Sequence, residues 1–182
     1  MRGKLWIAAA ALALAVTAVP AADESDSQNS VVGGTIPELC QIALAGDLSA
    51  MLTLTQDGTG ETAYDAGYVE SAADAVTLTL DANKQWKLSA KYDGTGWSCP
   101  GSYNKAETDL WIQITNSPTG TVQNSADSYI NLGATDTEIL SHTVGVSDNS
   151  VELQNKVDLD WTQDIPGAYS ITVVYTLETT SG

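Results

Sequence analysis

Phenylalanine is absent from this chain, and histidine occurs once, at His142. Without Phe, a core must rest on Leu, Ile, Val, Trp and Tyr. With one histidine there is no His-Glu-x-x-His pair, so a zinc hydrolase lacks its ligand set. His142 lies in "ILSHTVGV", beside apolar alternation, with no evident partner to make it a general base, and reads as a structural or surface histidine. The Gly-x-Ser-x-Gly elbow of hydrolases is missing as well. Basic residues are nearly as scarce: seven Lys and Arg stand against 23 Asp and Glu, for a net charge of −16. Phosphate would be repelled by such a chain, which makes it a poor candidate for binding anionic lipid, and no nucleic-acid partner is expected. These shortages point away from an enzyme.

Long apolar runs are also missing, with one exception. "LWIAAAALALAVTAV" follows Arg2 and Lys4 and precedes the small residues of "VPAAD". That order is a secretory signal, and residues 1–21 are expected to be removed. The run is too short for a confident membrane span, so no membrane insertion is expected after cleavage. Residues 22–35, "ADESDSQNSVVGGT", read as a flexible acidic lead. Residues 36–182 are then the size of a single domain. The only cysteines are Cys40 and Cys99. In an oxidising compartment an even count predicts one disulfide rather than two free thiols. Closing a loop of about 60 residues would add about 4 kcal/mol on the loop-entropy view.

What is present is alternation. Leu48, Ala50, Leu52 and Leu54 share one face of "LSAMLTLT". Val76, Leu78 and Leu80 do so in "AVTLTL", and Leu110, Ile112 and Ile114 in "DLWIQIT". "VELQNKVDLDW" keeps Val151, Leu153, Val157, Leu159 and Trp161 in phase. "AYSITVVYTLE" does the same for Tyr169, Ile171, Val173, Tyr175 and Leu177. Period two with Thr, Val, Ile, Trp and Tyr means half-buried strands. Turn clusters such as "QDGTGE", "YDGTGWSCPGSYN" and "QDIPGA" separate them. "IPELCQIALAG" is open between a helical turn and a first strand. The expected fold is all-β, an antiparallel β-sandwich of immunoglobulin-like or jelly-roll-like type, with few or no helices.

Two stretches carry a resemblance. Trp86-Lys87-Leu88 stands inside "NKQWKLSAKY", and Tyr175-Thr176-Leu177 stands near the end of "PGAYSITVVYTLETTSG". The pair resembles WxL-type extracellular domains, which carry one Trp-x-Leu in an internal strand and another in the last strand. Here Trp86 and Leu88 match the first motif, while Tyr175 and Leu177 stand where the second would be. The resemblance implies a β-sandwich held non-covalently on the cell wall. The closing strand is also similar to that of fimbrial and coat subunits, which implies assembly by strand exchange.

"DGTG" occurs at 57–60 and 93–96. Asp-Gly suits a tight hairpin turn, because both positions favour positive φ. The first copy has Glu61 and Asp65 beyond it, so Asp57, Glu61 and Asp65 form a candidate calcium set, although the spacing is not that of an EF-hand. Asp158 and Asp160 share a strand face and read as its wet side. Among the tryptophans, Trp86 and Trp161 are in phase with apolar neighbours and are expected in the core. Trp97 in a Gly-rich loop, Tyr103 beside it, and Trp111 opposite Leu110 are the aromatics expected to meet a ligand or partner. The whole predicts an exported structural or adhesive surface protein without a required cofactor, contacting copies of itself or a cell-wall polymer. The alternative is a carbohydrate-binding module assisted by calcium.

Overall fold

A computed structural model of the chain describes residues 35–48, 51–55 and 58–180. The signal segment, residues 22–34 of the lead, and Asp57 lie outside the described residues. In chain order the elements are β1 (Cys40–Gly46), α1 (Thr59–Ala66), β2 (Tyr68–Glu70), β3 (Val76–Ala82) and β4 (Trp86–Tyr92). A 3-10 turn (Glu107–Asp109) leads to β5 (Leu110–Ile114). Then come β6 (Thr121–Val122), β7 (Ile130–Asn131), β8 (Thr137–His142), β9 (Val146–Asp158) and β10 (Val173–Thr179). All belong to one compact unit that begins at Ile36.

The strands form two antiparallel sheets packed face to face, an all-β sandwich. One sheet runs β1-β3-β9-β5-β7, with β2 also on β9; the other runs β10-β4-β8-β6. The long β9 is the spine of the first. Its Leu153 pairs with Val76 on one side and Ile114 on the other. Inner faces follow the alternation of the sequence. Val76, Leu78, Leu80, Leu110, Ile112, Val151, Leu153 and Val157 are buried from one sheet; Trp86, Leu88, Ala90 and Leu177 are buried from the other. On β8 the alternation breaks, because Ile139 and Leu140 are consecutive and both fully buried. The β4–β8 register shifts between Leu88 and Ser89, so Ile139 is the extra residue of a bulge that turns both side chains inward.

Several expectations are corrected. "LSAMLTLT" is not a strand at residues 51–55. The position beside β3 is taken by β1, in unbroken register from Cys40↔Ala82 to Gly46↔Val76, so the opening stretch supplies the strand. The first "DGTG" is not a hairpin. Gly58, at φ 95°, caps the N-terminus of α1, and Gly67, at φ 79°, closes it with its N–H on Ala63 and Tyr64 carbonyls. The left-handed conformation at both ends is what glycine permits. The second "DGTG" is an Asx turn: Asp93 Oδ1 accepts from both the N–H and the hydroxyl of Thr95. Those bonds hold the Asp93 carboxyl below the usual range.

The expected disulfide is absent, and both cysteines are free. The reason is topological. The Cys40 thiol donates to the Leu177 carbonyl, whereas Cys99 follows Ser98, which bridges to Ser170. Seven residues of extended chain separate positions 170 and 177, about 20 Å at the rise of a strand. A disulfide needs Cα atoms within about 7 Å.

Candidate functional site

One end of the sandwich gathers a buried ion pair and several aromatic side chains. The loop after β4 supplies Tyr103 and Lys105, and the turn after β9 supplies Asp160, Trp161 and Asp164. α1 closes over them with Tyr64 and Asp65.

At its base is a buried ion pair. The Lys105 side chain is 2% exposed and that of Asp164 3%, with Nζ 3.0 Å from Oδ1. Lys105 also reaches Asp109, four residues along, at 3.1 Å. Asp164 further accepts from the Tyr103 hydroxyl at 2.8 Å and from the Asp160 N–H at 3.0 Å. Burial alone would raise the Asp164 carboxyl. The Asp160 N–H, Lys105 and Tyr103 outweigh it and hold the group below the ordinary carboxylate range. Burial alone would lower Lys105, and its two carboxylates hold it above the ordinary lysine value. Burial and the Asp164 charge push the Tyr64 phenol up to about 12. Sequence reasoning missed this pair. Lys105 and Asp109 show an i, i+4 spacing, but Asp164 is joined only by the fold.

Above the pair lies a cleft of about 540 Å³. Leu52 and Leu54, expected on a strand, contribute to its lining, as do Glu61, Tyr64, Trp161 and Tyr169. Tyr169 is fixed by its own loop: its hydroxyl donates to the Ile165 carbonyl and accepts from the Ile165 N–H.

The aromatics exchange roles relative to expectation. Trp97 is buried, 8% exposed, and its indole N–H donates to the Ala106 carbonyl. Tyr103 is half-buried and committed to Asp164. Trp111 does lie on the outer face of its sheet, but the Lys156 ammonium sits 4.5 Å from its ring centroid and Asp158 accepts its N–H. Lys156 also lies over Tyr68 and Tyr129. The face of Trp111 is thus occupied by an internal cation–π contact. Trp161, expected in the core, is 58% exposed. β9 ends at Asp158, and Asp160 Oδ1 then accepts from the N–H and hydroxyl of Thr162. This Asx turn breaks the alternation and swings Trp161 outward.

Of the candidate calcium residues, Glu61 and Asp65 are exposed one turn apart on α1, and Asp65 accepts the Trp161 indole N–H at 3.1 Å. Among the described residues, no three His, Cys, Asp or Glu side chains cluster as a metal site would require. Asp158 is engaged by Trp111 and Lys156, and Asp160 by Thr162, so the two do not act together. His142 closes β8 with its ring edge-on to Trp86 at 6.2 Å.

The four motif residues lie on neighbouring strands. Leu88 pairs directly with Leu177, and Tyr175 with Ala90. Trp86 and Leu88 are fully buried, so they hold the sheet from inside.

No family model and no curated protein matches this chain. Among the described residues, no helix is long and apolar enough to cross a membrane.

Proposed function

We propose that this chain is an exported, non-catalytic structural protein of the cell surface that self-associates edge to edge through β1. The observation that carries this reading is the character of that strand. Cys-Gln-Ile-Ala-Leu-Ala-Gly contains no charge, and only Ile42 is even half-buried. Ile36, Leu39 and Leu44 add apolar surface at 85%, 60% and 59% exposure. Among the described residues, β1 has a strand on one side only. Proteins usually blunt such edges with charge, Pro or shortness. Of the other sheet edges, β6 and β7 are blunted by shortness at two residues each, and β10 carries the charge of Glu178; β1 has neither.

Electrostatics narrow the choice of surface. Lys84, Lys87, Lys91, Lys105 and Lys156 are each within 4.0 Å of an acid of the same chain. No lysine among the described residues is left over for the acids of a second copy. The full sequence carries a net charge of −16, so two copies repel, and they repel least along a strand that has no charge of its own. Pairing of β1 with a second β1 about a two-fold axis is the isologous contact such an edge permits.

Light scattering on the eluted protein is expected to show oligomers that strengthen from about 0.1 to 1 M salt as repulsion is screened. Ala43 is central on β1 and exposed. Both Ala43→Lys and Ala43→Asp are expected to weaken association at least about tenfold, or about 1.4 kcal/mol, with little change in folding. Opposite charges with the same effect exclude a net-charge explanation. A wild-type protein that stays monomeric at every salt concentration rejects the proposal.

A further inference from the structure

Trp161 is held open rather than left loose. Its ring lies against Tyr64 with centroids 4.8 Å apart and planes tilted by 38°. Its N–H is tied to Asp65. Both partners come from α1, so the helix fixes the indole along one face and one edge. The remaining surface, 58% of the residue, faces solvent at the mouth of the cleft. Burying a large aromatic is among the strongest contributions a side chain makes to a fold. An indole clamped in an exposed position forgoes that contribution, and the clamp gives it a fixed plane.

The cleft volume is within the range of small-ligand sites, and a fixed indole plane suits the apolar C–H face of a pyranose ring. The charges then select among sugars. Glu61 lines the cleft and is exposed, and Asp164 lies at its floor. Among the described residues the one cation in the lining, Lys105, is spent on Asp164 and Asp109. An acidic sugar or a phosphate meets uncompensated negative charge, while an ammonium meets a complementary one.

We infer that the Trp161–Tyr64 cleft binds a pyranose glycan bearing free amines, with a sugar ring stacked on Trp161 and an ammonium group paired with Glu61. This site is independent of β1 and of self-association.

The test is calorimetric titration with a glucosamine tetramer, on the wild type and on Ala43→Asp so that oligomerisation plays no part. Saturable binding of equal strength in both is expected. Trp161→Ala is expected to weaken it at least tenfold, with an unchanged melting temperature showing that the fold is intact. Glu61→Gln is expected to weaken it several-fold and to flatten its salt dependence. The N-acetylated tetramer is expected to bind more weakly, and a galacturonic acid tetramer not at all. No heat at millimolar glucosamine tetramer overturns the inference, as does Trp161→Ala binding within twofold of wild type. Tetralysine binding as tightly as the aminoglycan also overturns it, because the site would then be a cation site without sugar recognition.

Discussion

Replacing Lys105 with methionine is expected to destabilise the fold by about 3–5 kcal/mol, the cost of stranding a buried charge. Asp164 would keep the Tyr103 hydroxyl and the Asp160 N–H, but its counter-ion would be gone while its side chain remains 3% exposed. Asp109, 28% exposed, can turn to water and adds little. The second change, Asp164→Asn in the Lys105→Met background, is expected to recover much of the loss, since the amide leaves no unpaired charge. Urea unfolding midpoints of the wild type, both single variants and the double variant would measure the coupling. If Lys105→Met costs less than about 1 kcal/mol, the pair behaves like an exposed one and does not hold the two loops.

The same pair sets a pH window. The folded-state pKa of Asp164 is depressed, so its contribution is present above the unfolded value of about 4 and lost as pH falls through the folded value. Lys105 is raised, and Tyr64 is raised to about 12. Their contributions are present below about pH 10 and lost as pH rises through the folded values. Stability is therefore expected to hold between about pH 4 and 10 and to fall on both sides. Asp164→Asn should make the acid limb shallower than that of the wild type. Equal acid limbs would show that other carboxylates carry it.

Trp86→Ala is expected to cost about 3–5 kcal/mol, the range for removing a large buried aromatic. Trp86 is fully buried at the start of β4, paired across to Thr179 on β10 and His142 on β8. Its removal leaves a cavity where three strands of the second sheet meet. Its indole N–H has no hydrogen-bond partner among the described residues, so Trp86→Phe gives up no bond and is expected to cost less than half as much. Thermal unfolding of the two variants would show the ordering, and a Phe variant as unstable as the Ala variant would contradict it. The consequence for function is direct. A loss of binding in Trp86→Ala would report a damaged core, so surface contacts have to be probed at Trp161 and Ala43 instead.

Those two positions mark where the sequence was legible and where it was not. Alternation located β3, β5, β9 and β10 because a strand's period is local: each residue's face follows from its neighbour's. Residue scarcity was equally readable, since charge and composition need no coordinates. Trp161 was misplaced because the same alternation was carried past Asp158, and a single Asx turn reverses a face without changing the apolar pattern. Trp111 was placed on the correct face, but Lys156 arrives over its ring only because β5 and β9 pair with Trp111 opposite Lys156.

The long-range partnerships had no local signal at all. Cys40 and Cys99 were matched by count and compartment, yet strand order puts them at opposite ends of β10. Nothing near Lys105 in sequence points to Asp164, which the turn after β9 brings to it from 59 positions away. The sequence alone determined the all-β character, the acidic surface and the apolar faces of the longer strands, because these depend on composition and on period two. Tertiary structure decided which tryptophan meets solvent, which lysine is buried and which strand is left at an edge. Those properties depend on what another part of the chain places opposite, and no spacing within one segment encodes that.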